Sequence, residues 1–479
     1  MTDSNDTLSN EHAVHSWLGI PFASAERFRR PVLLPFNPDL PYDRKGPAPL
    51  QAGDTSWLEA DNGFSEDCLN LNVWAPEDAG DAPLPVVVYI FGGGWMLGAN
   101  TQTTSNVSGL AATGRVVGVS INYRLGAFGA LSLSQYGGAL EEATNLGMQD
   151  IITALRWVRE NIARFGGDPD NVTVTGHSAG AFSALALLAA PSADGLYHHI
   201  AAFSGMPSRQ VPAWGAEERA HAVLAALGIK DDPEQLLNID AQLLAETMAQ
   251  TQSADPGAAH GVDSDVIAVV DDRNQPGGVL TDHPMNVLES GKHKDIDILF
   301  SSTTGETDWW VNHKAEDFDP GSIEGLVDEF SHRNRIPRSR AQKIVAAFDT
   351  DGRTPIQVRS ALLTNYSFTL PQVRGALAHT AAGGRAHLLA VGPLEGAEAV
   401  HGTEMYGIVG QKRPGASNDQ IIRDTFVRDA LLALATRKSE ELWEPVTTEP
   451  ISKGIGNMPY DPTTHAIEVL QTFADIERP

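Results

Sequence analysis

The sequence predicts an α/β fold in which a predominantly parallel central sheet is flanked by helices. Three observations predict it. Between residues 84 and 205, apolar and β-branched runs alternate with helical patterns, the order a parallel sheet requires. Two of those runs, 84–91 and 116–123, are almost continuously apolar, which suits strands covered on both faces. A third, 172–175, passes through Gly176-His177-Ser178-Ala179-Gly180 directly into the small, helix-compatible stretch 181–188.

Taken in order, residues 1–13 are polar and read as frayed, and the first ordered segment is 18–23, followed by Arg27 and Phe28. Pro31, Pro35, Pro38, Pro41, Pro47 and Pro49 make 31–56 a connection that hugs the surface. The second half of 65–74 alternates apolar and polar residues, the pattern of a half-buried strand. The strand at 84–91 runs into Gly92-Gly93-Gly94-Trp95, and residues 96–115 supply the long connection that a parallel neighbour needs. Ile151, Ile152, Leu155, Val158, Ile162 and Phe165 recur at helical spacing, predicting a helix over 148–165 that Gly166 and Gly167 stop. A candidate strand at 200–205 follows the elbow.

Residues 212–250 are mostly helical, 266–270 is a short apolar run before a turn, and 296–300 is another buried strand. Residues 320–385 are helical by composition, with breaks near Pro337 and Pro355. A late strand falls at 386–391 and a last long helical region at 417–443. The expected organisation is one unit over 1–479, with helical cap or regulatory insertions at 212–260 and 310–385.

Composition narrows the function. A chain of 479 residues with 42% hydrophobic content can bury a large core; length alone would suggest two or three domains, although large α/β enzymes are often single units. The formal net charge of −27 opposes binding to nucleic acid or anionic membrane, and reads as a solvated acidic surface. Cys68 is the one cysteine, so neither an intrachain disulfide nor a cysteine-based zinc site can form, which fits a reducing compartment. The first residues lack a basic region followed by an apolar stretch, and no apolar run approaches 18 residues. The expectation is a cytoplasmic protein with no nucleic-acid, membrane or obligatory protein partner. There is no His-Glu-x-x-His, and the adjacent His198 and His199 do not share a helix face, so no metal or cofactor is expected.

The chemistry centres on residues 176–180. Gly-x-Ser-x-Gly between a strand and a helix is the nucleophile elbow of an α/β-hydrolase: the sharp turn presents Ser178 beside the unpaired N–H groups of a helix N-terminus. In that fold the nucleophile precedes the acid, which precedes the histidine. His401, shortly after the late strand, satisfies the order as the base. His177 occupies the variable position of the elbow and is read as a poor base; His387 lies inside a strand and reads as packed. The acid is sought in the loop after 296–300, where Glu306 is chosen and Asp308 is the near rival. Gly92-Gly93-Gly94 can turn backbone N–H groups inward. With no Gly-Lys-Ser/Thr following, an oxyanion hole shared with Ala179 fits better than a phosphate loop. Loss of one such donor typically costs about 3 kcal/mol of transition-state stabilisation.

The chain resembles the type-B carboxylesterase family, relatives of the cholinesterases. The likeness is carried by Leu18-Gly19-Ile20-Pro21-Phe22-Ala23 with Arg27-Phe28, by residues 65–73, by Asn122-Tyr123-Arg124-Leu125-Gly126 and Asn145-Leu146-Gly147-Met148-Gln149-Asp150, and by Phe165-Gly166-Gly167-Asp168-Pro169 leading into the elbow. The resemblance implies Ser178 as nucleophile, Glu306 as triad acid, His401 as base, and the N–H groups of Gly93, Gly94 and Ala179 as oxyanion donors. It also implies ion pairs Arg27–Glu66 and Arg124–Asp150 of architectural character. Four departures stand out. Phe91 occupies the place of the histidine that usually opens the glycine loop. His177 replaces the usual glutamate before the nucleophile, which removes a negative charge and weakens the case for cationic substrates. The usual partner of Cys68 is missing, with Pro49 near its place. The segment between Gly46 and Cys68 is short, which implies a more open pocket mouth. Trp95, His177, Trp309 and Trp310 are the expected pocket residues.

The expected activity is therefore serine carboxylic-ester hydrolysis through an acyl-enzyme, on small to medium apolar or aromatic esters, with no cofactor. The alternatives are an amidase or carbamate hydrolase with the same triad, and a catalytically inactive relative used for protein binding.

Overall fold

A computed structural model describes residues 12–78, 80, 82–208, 210–251, 267–350, 352–438 and 441–476. Nine strands form one sheet: β1 (Val14–Pro21), β2 (Asn70–Pro76), β3 (Leu84–Ile90), β4 (Val117–Ile121), β5 (Gly167–His177), β6 (His199–Phe203), β7 (Asp297–Thr303), β8 (Ala386–Val391) and β9 (Ser452–Ile455). Their spatial order is β1-β2-β4-β3-β5-β6-β7-β8-β9. The pairs β1–β2 and β2–β4 are antiparallel, and every pair from β4 to β9 is parallel. Helices cover both faces, which is the α/β-hydrolase architecture.

The continuous apolar runs become central strands for the reason their composition gives. Val86, Val87, Val88, Tyr89 and Ile90 of β3 are all fully buried, as are Val117, Val119 and Ile121 of β4. The predicted helix over 148–165 is an α-helix at Leu146–Asn161 continued by a 3-10 turn at Ile162–Phe165, and Gly166 ends it in the left-handed conformation at φ 80°.

Three expectations change, and one strand was not foreseen. β1 begins at Val14, four residues before the predicted start, because it pairs along the whole of β2. β2 is buried at every position, although its alternation suggested a half-solvated strand. Its polar residues, Asn70 and Asn72, are buried and bonded: Asn72 Oδ1 accepts from the Gly19 N–H at 2.8 Å, and Asn70 Nδ2 donates to the Pro47 carbonyl at 2.9 Å. The proline-rich segment is held inward at Gln51, whose amide both donates to the Gly98 carbonyl and accepts from the Gly98 N–H, each at 2.9 Å. Finally, the edge strand β9 has a sequence, Ser-Lys-Gly-Ile, with no strand signal of its own; its register against β8 supplies one.

Among the described residues, the 212–260 segment forms helices at Ala213–Leu227 and Ala241–Gln250; positions 252–260 lie outside those residues, as do 1–11. Residues 308–381 form helices at Asp308–His313, Ala315–Phe318, Ile323–Asn334, Arg338–Phe348, Pro355–Thr364 and Leu370–Ala381, with a π-helical turn at Asn365–Thr369. Pro337 is the N-cap of one helix and Pro355 the first residue of another, the positions where a missing N–H costs nothing. Phe330, Phe348, Tyr366 and Phe473 are part of a second hydrophobic cluster beside the main core, joining this region to the helix Pro462–Thr472. No described helix is long and apolar enough to cross a membrane.

Candidate active site

The elbow is fixed by close backbone approach. β5 ends at His177, and the helix Ala179–Ala186 starts one residue later. Ser178 between them has φ 54° and ψ −127°, a strained conformation for a residue with a Cβ. Its own N–H is held by the Phe203 carbonyl at 3.0 Å, so the turn is braced from β6. Gly180 cannot carry a side chain, because a Cβ there would stand 2.0 Å from the Ile90 carbonyl oxygen of β3. Strand and helix therefore close around Ser178, whose side chain is half-buried.

The glycine loop after β3 lies against this elbow. A Cβ on Gly92 would meet the His177 carbonyl oxygen at 2.5 Å. Gly93 has φ 115°, and a Cβ there would fall 2.0 Å from the Leu97 carbonyl oxygen, so only glycine fits. The N–H groups of Gly93 and Gly94 donate to no acceptor among the described residues. Ala179 is the first residue of its helix, where the N–H precedes the intrahelical ladder.

Two loops at the carboxyl ends of neighbouring strands bring an acid and a base together. Gly305, after β7, and Val400, after β8, form a parallel bridge, with the Gly305 N–H donating to the Ala399 carbonyl at 3.0 Å. This places Glu306 opposite His401. Oε2 of Glu306 lies 2.6 Å from His401 Nδ1, and its Oε1 accepts from the Thr303 N–H and the Ser204 hydroxyl, each at 2.7 Å. Glu306 is fully buried. Asp308, the rival, points elsewhere: its Oδ1 accepts from the Ser360 hydroxyl at 2.6 Å, and burial raises its pKa.

The expected pocket residues divide. Trp310 lies 5.8 Å from the His401 ring and stands at right angles to Trp309; both are half-buried. Trp95 is buried and turned toward the elbow helix, its indole N–H donating to Ser183 at 3.0 Å. His177 is also buried, its ring 4.6 Å from that of His401. Burial and the neighbouring His401 push its pKa well below the ordinary value, so it is uncharged.

Sequence reasoning missed four residues here. Phe368, on the π-helical turn, approaches the His401 ring at 5.6 Å and Phe182 at 6.5 Å. Phe182 follows Ser178 by one helical turn, a spacing that could have flagged it. Ser204 and Glu404 join the acid: the Ser204 hydroxyl lies 2.7 Å from Glu306 and 2.9 Å from Glu404. Glu404 follows His401 by three residues, as the N-cap of the helix Met405–Val409. No group of metal-ligating side chains occurs among the described residues.

The expected ion pairs form. Arg27 Nε donates to Glu66 at 2.9 Å, and Arg124 clamps Asp150 at 2.7 and 2.8 Å inside the core. Cys68 is buried and free.

Known proteins share this fold. The Carboxylesterase family pattern covers residues 4–387. Over 256 residues the chain is 41% identical to a para-nitrobenzyl esterase of Bacillus subtilis (strain 168), covering 52% of this chain and 51% of that protein. It is 31% identical over 340 residues to an acetylcholinesterase of Leptinotarsa decemlineata, covering 64% of this chain and 53% of that protein. The matches thus span about half the length of these curated relatives. In three dimensions it resembles a PNB esterase (TM-score 0.78, 28% identity) and a carboxylesterase from Geobacillus stearothermophilus (TM-score 0.79, 27% identity), each match covering 95% of this chain and 96% of the other. With that pattern over most of its length and a fold shared along 95% of it, the chain belongs to the carboxylesterase family.

Proposed function

We propose that this chain is a serine carboxylic-ester hydrolase with Ser178 as nucleophile, His401 as general base and Glu306 as the acid that orients it. The supporting observation is the 2.6 Å contact between buried Glu306 and His401 Nδ1, in loops that end strands beside the elbow. With Nδ1–H donated to the carboxylate, Nε2 of His401 is the free basic nitrogen. It removes the Ser178 proton as the hydroxyl attacks the ester carbonyl. Negative charge on the carbonyl oxygen is received by the N–H groups of Gly93, Gly94 and Ala179. The imidazolium then protonates the leaving alcohol, and a water activated by the same nitrogen releases the acid from Ser178.

The substrate class follows from what stands around His401. Trp310 and Trp309 offer half-exposed aromatic surface, and His177 beside the base carries no charge. Apolar or aromatic esters fit this surface, and cationic ones gain no carboxylate partner at position 177. A cytoplasmic location fits the single, unpaired cysteine.

The test is turnover of a p-nitrophenyl ester series from acetate to octanoate, with a phenyl carbamate and an anilide alongside, by the wild type and Ser178→Ala. Chelator-insensitive ester turnover that vanishes in the variant is expected. Preference for the anilide or carbamate would move the assignment to the corresponding hydrolase, and inertness of both proteins would favour a binding role.

A further inference from the structure

The acid of the site is connected to a second buried carboxyl. Ser204 sits at the end of β6 with φ 52°, fully buried, its N–H fixed by the Ser301 carbonyl at 2.7 Å. That strained position puts one hydroxyl between two carboxyl groups, 2.7 Å from Glu306 Oε1 and 2.9 Å from Glu404 Oε1. A serine hydroxyl has one proton to donate. If both carboxyls were ionised, one contact would be a lone pair facing an anion in a dry interior, an arrangement that costs free energy with nothing to offset it. Glu306 already collects donors from Thr303, Ser204 and His401, so it is the ionised partner. The spare proton then belongs to Glu404, which donates to Ser204, which donates to Glu306, which accepts from His401.

A second observation concerns a cation whose charge reaches Glu404. Arg423, on the helix Asn418–Ala435, is buried, and its Nε and Nη1 have no acceptor among the described residues. Glu404 Oε2 is likewise buried without a partner. The adjacent Asp424 is engaged by Arg413 at 2.9 and 3.0 Å, and the Arg423 charge acts on Asp424 first and on Glu404 as well.

We infer that Glu404 is a positioning residue that works as a carboxylic acid, completing the line Glu404–Ser204–Glu306–His401, and that the Arg423 charge favours the breaking of that line. The inference rests on the triad reading above. As Glu404 loses its proton, its carboxylate is favoured by the guanidinium charge and competes with Glu306 for the Ser204 hydroxyl. His401 then loses part of the support of its orienting acid, and kcat falls.

The groups facing Glu404 are Ser204, the like charge of Glu306, and the opposite charge of Arg423 with the Arg413–Asp424 pair behind it. His401 and the uncharged His177 lie beyond Glu306. Burial first, and then Glu306, push the Glu404 pKa up to about 8, while Arg423 opposes the shift.

The experiment is the kcat–pH profile of the wild type, E404Q and R423M between about pH 6 and 10. Each protein is returned to neutral pH after incubation to exclude unfolding. The wild type is expected to lose kcat with a midpoint near the Glu404 titration, E404Q to show no such limb, and R423M to show it at higher pH. A limb unchanged in E404Q, or unmoved or lowered in R423M, overturns the inference. Infrared difference spectra of wild type against E404Q give an answer without R423M or turnover. A protonated-carboxyl C=O band that titrates near the same midpoint and is missing in E404Q supports it; a band absent at neutral pH overturns it. Failure of the triad reading would show separately, as wild-type turnover at pH 7 that does not depend on Ser178.

Discussion

Oε2 of Glu306 lies 2.6 Å from Nδ1 of His401, and the bridge between Gly305 and Val400 holds the two loops in that register. A carboxamide in place of Glu306 keeps the shape and loses the charge that favours both the tautomer and the imidazolium. Glu306→Gln is expected to lower kcat on the order of 10⁴-fold with the fold intact, as steady-state kinetics and circular dichroism would check. A variant retaining most of its kcat would assign the orienting role elsewhere.

The glycine loop makes a prediction that separates two neighbours. A Cβ on Gly93 collides with the Leu97 carbonyl, whereas one on Gly94 meets nothing within 4 Å, although φ is 63°. Gly94→Ala should therefore cost only about 1 kcal/mol of stability, the left-handed strain of one alanine. Gly93→Ala should displace the loop and lower kcat by at least about 100-fold. Thermal melts and kinetics on the pair distinguish strain from collision.

Arg124 and Asp150 form a bidentate pair with almost no solvent contact. Removing the cation leaves a buried carboxylate unpaired, so Arg124→Met should destabilise the protein by about 3–5 kcal/mol, read by denaturant unfolding. A loss below about 1 kcal/mol would mean the core relaxes around Asp150.

Buried titrating groups set opposite limits on stability. Burial holds His199, His283 and His387 at about 4, against the ordinary 6.5. These folded-state values are depressed, so the unfolded chain takes up protons first as pH falls. Their contribution is complete above pH 6.5 and is lost on the way down to about 4. Glu404 has the opposite sign: its folded pKa is raised, so its contribution is complete below the ordinary 4.5 and is lost as pH rises through about 8. The windows overlap, and three histidines outweigh one carboxyl, so unfolding free energy measured against pH should peak near pH 6.5, where the histidine contributions are complete. A curve still rising from pH 6 down to pH 4 would contradict the burial of the histidines.

Much of the fold was legible because its central strands carry their own signal. The apolar residues of β3 and β4 state their burial directly, and the Gly176-His177-Ser178-Ala179-Gly180 stretch states its turn. The edge strand β9 was not legible, since Ser452, Lys453 and Gly454 gain strand geometry only by pairing with β8. Alternation misled at β2, where Asn70 and Asn72 are polar and yet buried, satisfied by chain segments distant in sequence. The same limit applies at the site. Glu306 and His401 follow strands in a recognisable order, whereas Ser204, Glu404 and Phe368 come together only through the tertiary fold. Trp95 was legible as a neighbour of the glycine loop, but its bond to Ser183 of the elbow helix comes only from the tertiary fold.

The most direct test of the account is to react the folded protein with an organophosphonate ester probe and locate the adduct by mass spectrometry while following ester turnover. The account predicts one adduct, on Ser178, formed in step with loss of activity and strongly slowed in His401→Ala. Full labelling of Ser178 with turnover undiminished, or loss of turnover with the adduct on another residue, would contradict it.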